Sequence, residues 1–162
     1  MKQDKIPCVG LFGTCGGSRW RDPFMKAYDE RGFNYYNPQV DNWEPWMAKE
    51  EADHLAQDAI ILFPVTSETY GLGSLAETGY SILQALRRDS RREFIIMIDD
   101  HLDDSLTDEA LCKESMRGRK LISSHLAKIN MSNVHVVVSL EDMLELSIRL
   151  YRAYDILLAD TA

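Results

Sequence analysis

DAIILFPV, residues 58–65, decides how this chain is to be read. Residues 59–65 are apolar without a break, and the run is bounded by Asp58 on one side and the polar loop TSETY (66–70) on the other. A helix exposed on one side would place a polar residue in every turn, and a buried helix would run longer. The stretch therefore predicts a strand covered on both faces, which implies parallel neighbours and helices above and below the sheet. Four more short runs have strand character: IPCVGLFG (6–13), FNYYN (33–37), EFIIMID (93–99) and VHVVVS (134–139). Helical periodicity lies between and after them, over 23–31, 46–57, 75–88, 107–128 and 140–158.

Alternation of strands and helices demands right-handed crossovers and a parallel sheet. The expected fold is α/β, a flavodoxin-like (Rossmann-type) doubly wound sandwich with a five-stranded parallel sheet in the order 2-1-3-4-5, formed by residues 1–162 as a single domain. That order puts the ligand crevice at the carboxyl ends of the first and third strands, where the winding reverses. The loops there are GTCGGSRWRD (13–22) and TSETYGLGS (66–74). Their glycines let a backbone come close to a ligand.

Composition narrows the partners. A formal net charge of −8 excludes a nucleic-acid polymer, which needs clustered Lys and Arg, but leaves a nucleoside or nucleotide open. The apolar runs reach seven residues, against the roughly 20 that span a bilayer, so no membrane partner is expected. The opening MKQDKIPCVGLFGTCGG has no long apolar core followed by a cleavage site, and Cys8, Cys15 and Cys112 form no C-x-x-C pair. These features predict a cytoplasmic protein without disulfides or a zinc cluster.

Two readings of Glu77 stand. Ser74 and Glu77 in SLAE match a capping box, in which each side chain satisfies an orphan N–H at a helix start. The same carboxylate, at a helix start beside the crevice, would be favoured in its ionised form by the helix dipole and suited to attack an anomeric carbon. Asp58 stands at the amino end of the third strand, a position that ordinarily faces away from the crevice, and His54 precedes it by four residues. IDDHLDD (98–104) fits neither an EF-hand nor a zinc spacing and reads as an acidic loop. GTCGGS lacks the Lys-Ser/Thr of a P-loop, yet its N–H groups suit a phosphate or a sugar hydroxyl; its Cys15 has no recognisable His partner. MRGRK (116–120) reads as a solvated helix face. Among Tyr35, Tyr36, Trp43, Trp46 and Tyr70, some are placed to stack on a planar base, and packing accounts for most.

Together VGLFGTCGGSRWRDPF, FNYYNPQVDNW, EEADHLAQDAIILFPVT and GLGSLAETGYSILQAL resemble the nucleoside 2-deoxyribosyltransferase-like family over roughly residues 6–100. The resemblance implies an oligomer that cleaves the N-glycosidic bond of a deoxynucleoside, forms a glycosyl ester on a glutamate, and passes the sugar to another nucleobase or to water. By that resemblance Glu77 is the nucleophile and Asp58 the acid/base or positioning residue. Substrate-binding residues are expected at Gly13, Gly16, Gly17, Ser18, Arg19, Asn37, Tyr70, Gly71, Gly73 and Ser74. Such chemistry needs an ionised carboxylate and a proton for the departing base, with no metal and no cofactor. Two departures mark the chain. Tyr70 stands nearest to where the family carries an acidic residue before the glycine turn, with Glu68 displaced, and the tail LLADTA does not match the family's C-terminal pattern. GLGSLAE also resembles the motif of phosphoribohydrolases acting on nucleoside 5′-monophosphates, without their preceding Pro-Gly-Gly. A non-catalytic nucleotide-binding domain, with Glu77 only capping its helix, is the reading from another class.

Overall fold

A computed structural model describes residues 6–42, 44–88 and 91–159, with the side chains of 82–88 left out. Trp43 and the tail residues 160–162 lie outside the described residues. Along the chain run β1 (Cys8–Leu11), α1 (Arg21–Asp29), β2 (Asn34–Tyr36), α2 (Met47–Gln57) and β3 (Ile60–Val65). They are followed by α3 (Leu72–Arg88), β4 (Glu93–Ile98), α4 (Glu109–Leu126), β5 (Val134–Val136) and α5 (Leu140–Ala159). All strand pairs are parallel and the order is β2-β1-β3-β4-β5, the expected flavodoxin-like arrangement. No helix among the described residues is long and apolar enough to cross a membrane.

The period of two along β3 divides its side chains between two cores. Ile60 and Leu62 face α1 and α5, against Trp20, Phe24, Tyr28, Met143 and Tyr151. Ile61, Phe63 and Val65 face the other side, with Leu75 of α3 and Leu126 of α4. Every residue of β3 is buried. At roughly 1.5–3 kcal/mol for each large apolar side chain removed from water, this strand outweighs the three-residue edge strands in organising the sheet.

Pro64 is unusual in a central strand, because it cannot donate to the ladder. Its pairing on the β1 side has already ended, since the last β1–β3 pair is Leu11 with Leu62. There Gly13, at φ +91°, lies flat against the proline: a Cβ on it would come within 2.4 Å of the Pro64 carbonyl oxygen. That oxygen instead accepts the N–H of Thr14 at 2.9 Å. Gly13→Ala is therefore expected to cost more than about 2 kcal/mol, the left-handed backbone adding to the overlap. Urea unfolding measures it, and a midpoint equal to wild type would show that the turn can move off Pro64.

Two boundaries differ from the expected ones for local reasons. β5 stops at Val136 because the chain turns at Ser139, whose hydroxyl accepts the N–H of Asp142 at 3.0 Å and starts α5. α3 begins at Leu72, before Ser74. Gly71, at φ +62°, stands at the cap position, and its carbonyl accepts the Leu75 N–H at 2.8 Å. The SLAE capping box is thus absent: Ser74 is buried inside the first turn, and Glu77 is the sixth residue of the helix.

Candidate active site

The two loops at the winding reversal are laced together. Thr14 donates its hydroxyl to the Pro64 carbonyl at 3.2 Å and accepts the Thr66 N–H at 2.9 Å. Ser18, buried, shares a hydrogen bond of 3.3 Å with the Thr66 hydroxyl and donates to Glu68 at 3.4 Å. Each loop also has its own buried arginine. Arg21 of α1, 1% exposed, donates to the carbonyls of Leu11 and Thr14 at 2.8 and 2.7 Å and to Gln39 at 3.0 Å. Arg119 of α4, also 1% exposed, donates to the carbonyls of Val65, Thr66, Thr69 and Asp99 at 2.9–3.0 Å. The reading of MRGRK as a solvated face is corrected at Arg119. Arg117, paired with Glu114 on the surface, and exposed Lys120 fit it.

Open space lies on the β2 side of this lacing. A cavity of about 180 Å³ is lined by Tyr36, Asn37, Pro38 and Val40 after β2, and by Met47, Glu50 and Glu51 of α2. The partly buried face of α2 mixes apolar Met47 and Leu55 with Glu51 and His54, and the cap residue Asp58 is buried. Half-buried Glu51 sits beside the Arg21 guanidinium, and burial raises its carboxyl above the ordinary range against the pull of that cation. α2 packs against α3. Across that packing Glu77 is an exposed residue of α3 whose carboxyl is raised by partial desolvation and by the charge of Glu51. The helix dipole thus does not set the state of Glu77, because the residue lies beyond the first turn, where the dipole's influence fades.

The charge of Arg21 thus favours the ionised form of Glu51, and the charge of Glu51 in turn disfavours that of Glu77. Tyr36 at the cavity wall is pushed up to about 12 by burial and by Glu50, Glu51 and Asp58, so its phenol stays neutral. Sequence reasoning missed Glu51, Arg21 and Arg119. The signal for Glu51 was a carboxylate on the inward stripe of an amphipathic helix.

Other expected residues fall in several places. Asn37 lines the cavity, with its side-chain oxygen accepting the Gln39 N–H at 3.0 Å. Gly16 and Gly17 are exposed and would meet nothing within 4 Å if given a Cβ, so their backbone is open to a ligand. Arg19 points to solvent and pairs with Asp22 at 2.6 Å. Tyr70 is held away by α4, its hydroxyl accepting the Asp108 N–H at 3.1 Å and its carbonyl the Ser115 hydroxyl at 2.7 Å. Gly71 is fixed by packing, since a Cβ would come within 2.9 Å of Val65. Gly73 is exposed at the start of α3, one residue before Ser74. Of the aromatics, Tyr36 stacks on His54 at 3.7 Å, Tyr35 donates to Asp29, and Trp46 is exposed with its indole N–H on Glu44.

Asp58 belongs to a different group. Its carboxylate takes His54 Nδ1 at 2.9 and 3.1 Å, interacts with the Cys8 thiol, and lies over Gly10, where a Cβ would come within 2.9 Å of it. These neighbours belong to the amino edge of the sheet. The structure brings Glu77 together with Glu51, and Asp58 together with His54 and Cys8. No protein-family model, curated protein or solved structure matches the chain.

Proposed function

We propose that this chain cleaves the N-glycosidic bond of a (deoxy)nucleoside, with Glu77 as nucleophile and Glu51 as its acid/base partner. The single observation that carries the reading is that Glu51, which lines the cavity, lies near enough to Glu77 of α3 for its charge to raise the Glu77 carboxyl. In the first step a Glu77 oxygen forms a bond to the anomeric carbon while the carbon–nitrogen bond breaks. The base leaves with that electron pair and takes a proton from Glu51. In the second, a new base or water attacks the glycosyl ester, gives its proton to Glu51, and releases Glu77 as a carboxylate.

An uncharged nucleoside is favoured over a 5′-monophosphate. Arg19 is paired with Asp22, while Arg21 and Arg119 are spent on backbone carbonyls. The groups facing the cavity are the acids Glu50 and Glu51, which repel a phosphate.

The test is chromatography of the protein with deoxynucleosides, ribonucleosides and 5′-monophosphates, each with and without a second base. Free base or an exchanged nucleoside is expected from a nucleoside, and a wild type that leaves every member untouched would overturn the reading. The pH profile of kcat/KM is expected to be bell-shaped, falling on the acid side as Glu77 gains a proton and on the alkaline side as Glu51 loses one. In Glu51→Gln the proton donor is gone, while Glu77 still titrates beside an uncharged neighbour. The acid limb should therefore stay in place, kcat/KM should fall and the alkaline limb should flatten. An alkaline limb and a kcat/KM equal to wild type would remove Glu51 from the chemistry.

A further inference from the structure

We propose that Cys8, His54 and Asp58 form a binding site for a zinc-class divalent cation at the amino edge of the sheet, separate from the Glu51–Glu77 pair. One ligand atom from each of the three residues lies within 4.8 Å of the others. They come from β1, from the last turn of α2 and from that helix's cap, and the sheet fixes their spacing. Among the described residues no other group of three His, Cys, Asp or Glu side chains meets this test.

The donor set selects the cation. One sulfur, one imidazole nitrogen and one carboxylate oxygen suit a borderline-soft ion such as zinc, whereas magnesium and calcium prefer oxygen alone. Co-ligands at zinc distances of ~2.0–2.3 Å stand roughly 3.3–3.6 Å apart in a tetrahedron. His54 Nδ1 and the Asp58 oxygens, at 2.9 and 3.1 Å, need to part by only a few tenths of an ångström. A cavity of about 210 Å³ lined by these three residues and by Ile6, Pro7 and Gln57 leaves room for water as a fourth ligand. The ring of Tyr36, stacked on the His54 imidazole at an interplanar angle of 5°, fixes the ligand's orientation, as outer-shell groups do at metal sites.

A nucleophilic Cys–His pair fits the geometry less well. The Cys8 thiol engages Asp58, not the imidazole, and burial together with that carboxylate holds it protonated. A cation reverses this arrangement: the thiol gives its proton to solvent, the imidazole carries its remaining proton on Nε2, and two anionic ligands offset the ion's charge.

The experiment is titration of the full-length protein with Co²⁺, followed through the near-ultraviolet thiolate-to-cobalt band, with Zn²⁺ as competitor. One equivalent is expected to bind, to be displaced by zinc, and to bind unchanged in a variant carrying Cys15→Ser and Cys112→Ser. Cys8→Ser should lose the band, and His54→Ala should weaken binding at least about 100-fold. Absence of a band in wild type, or a band that survives Cys8→Ser, would overturn the assignment. If Cys8→Ser shows no cooperative melt, a folded His54→Ala decides, because His54 is only partly buried; undiminished binding by it would equally sink the site.

Discussion

Glu77→Gln is expected to lower turnover by roughly three to five orders of magnitude while making the fold more stable at neutral pH. The loss follows from the proposed role: an amide cannot form the glycosyl ester, and the remaining contacts bind the nucleoside without reacting with it. The gain follows from the environment. Desolvation and Glu51 both raise the Glu77 carboxyl. A carboxyl raised in this way destabilises the folded state wherever it is ionised in both folded and unfolded chains. That cost disappears as pH falls through the folded value, where the native state takes up the proton first. The stability advantage of Glu77→Gln should therefore be greatest at neutral pH and shrink on acidification. Thermal melts across pH, run beside the turnover assay, separate the two possible roles of this residue. A glutamate that only supports the fold gives a variant with unaltered turnover, and that result would return Glu77 to structure. A nucleophile gives a more stable and inactive one.

The parts of this protein that sequence displays well are those enforced by repetition. Residues 59–65 could be read because a strand buried on both faces leaves no polar position to interrupt it, and all five strands and five helices follow in the expected order. Glu77 was visible as a residue of interest, but S-x-x-E fits both a helix start and a helix interior. Only the left-handed Gly71 reveals which applies here. Glu51 was hidden by the assumption that charged residues of an amphipathic helix face water. Its neighbours Arg21 and Glu77 belong to other elements, which folding alone brings near. Cys8 and Asp58 are likewise distant in sequence and adjacent in space, a juxtaposition that spacing rules for zinc motifs do not detect.

Arg119 carries the second large expectation. Arg119→Ala should cost about 3–5 kcal/mol, a large part of the ~5–15 kcal/mol that holds an ordinary domain together. Its guanidinium makes hydrogen bonds to four carbonyls and to the Ser115 hydroxyl, and it lies almost wholly out of water. Burial lowers its pKa, opposed by Asp99 and Glu68, yet a guanidinium remains charged at any ordinary pH. Those carbonyls converge at the carboxyl ends of β3 and β4, and truncation would leave buried oxygens without donors and a cavity beside them. Urea unfolding measures the loss, and a cost under about 0.5 kcal/mol would show that water replaces the guanidinium. Arg119→Lys is the more informative variant for function. An ammonium has three donors and no planar fork, so it cannot hold the carbonyls of Val65, Thr66, Thr69 and Asp99 at once. The same loop runs into Gly71 and the first turn of α3, which sets the position of Glu77. Under the proposed activity, a folded Arg119→Lys protein is therefore expected to lose kcat more than affinity for the nucleoside. Arg21 does for the β1 loop what Arg119 does for the β3 loop. Two buried cations from opposite layers thus hold the walls of the crevice by their backbone.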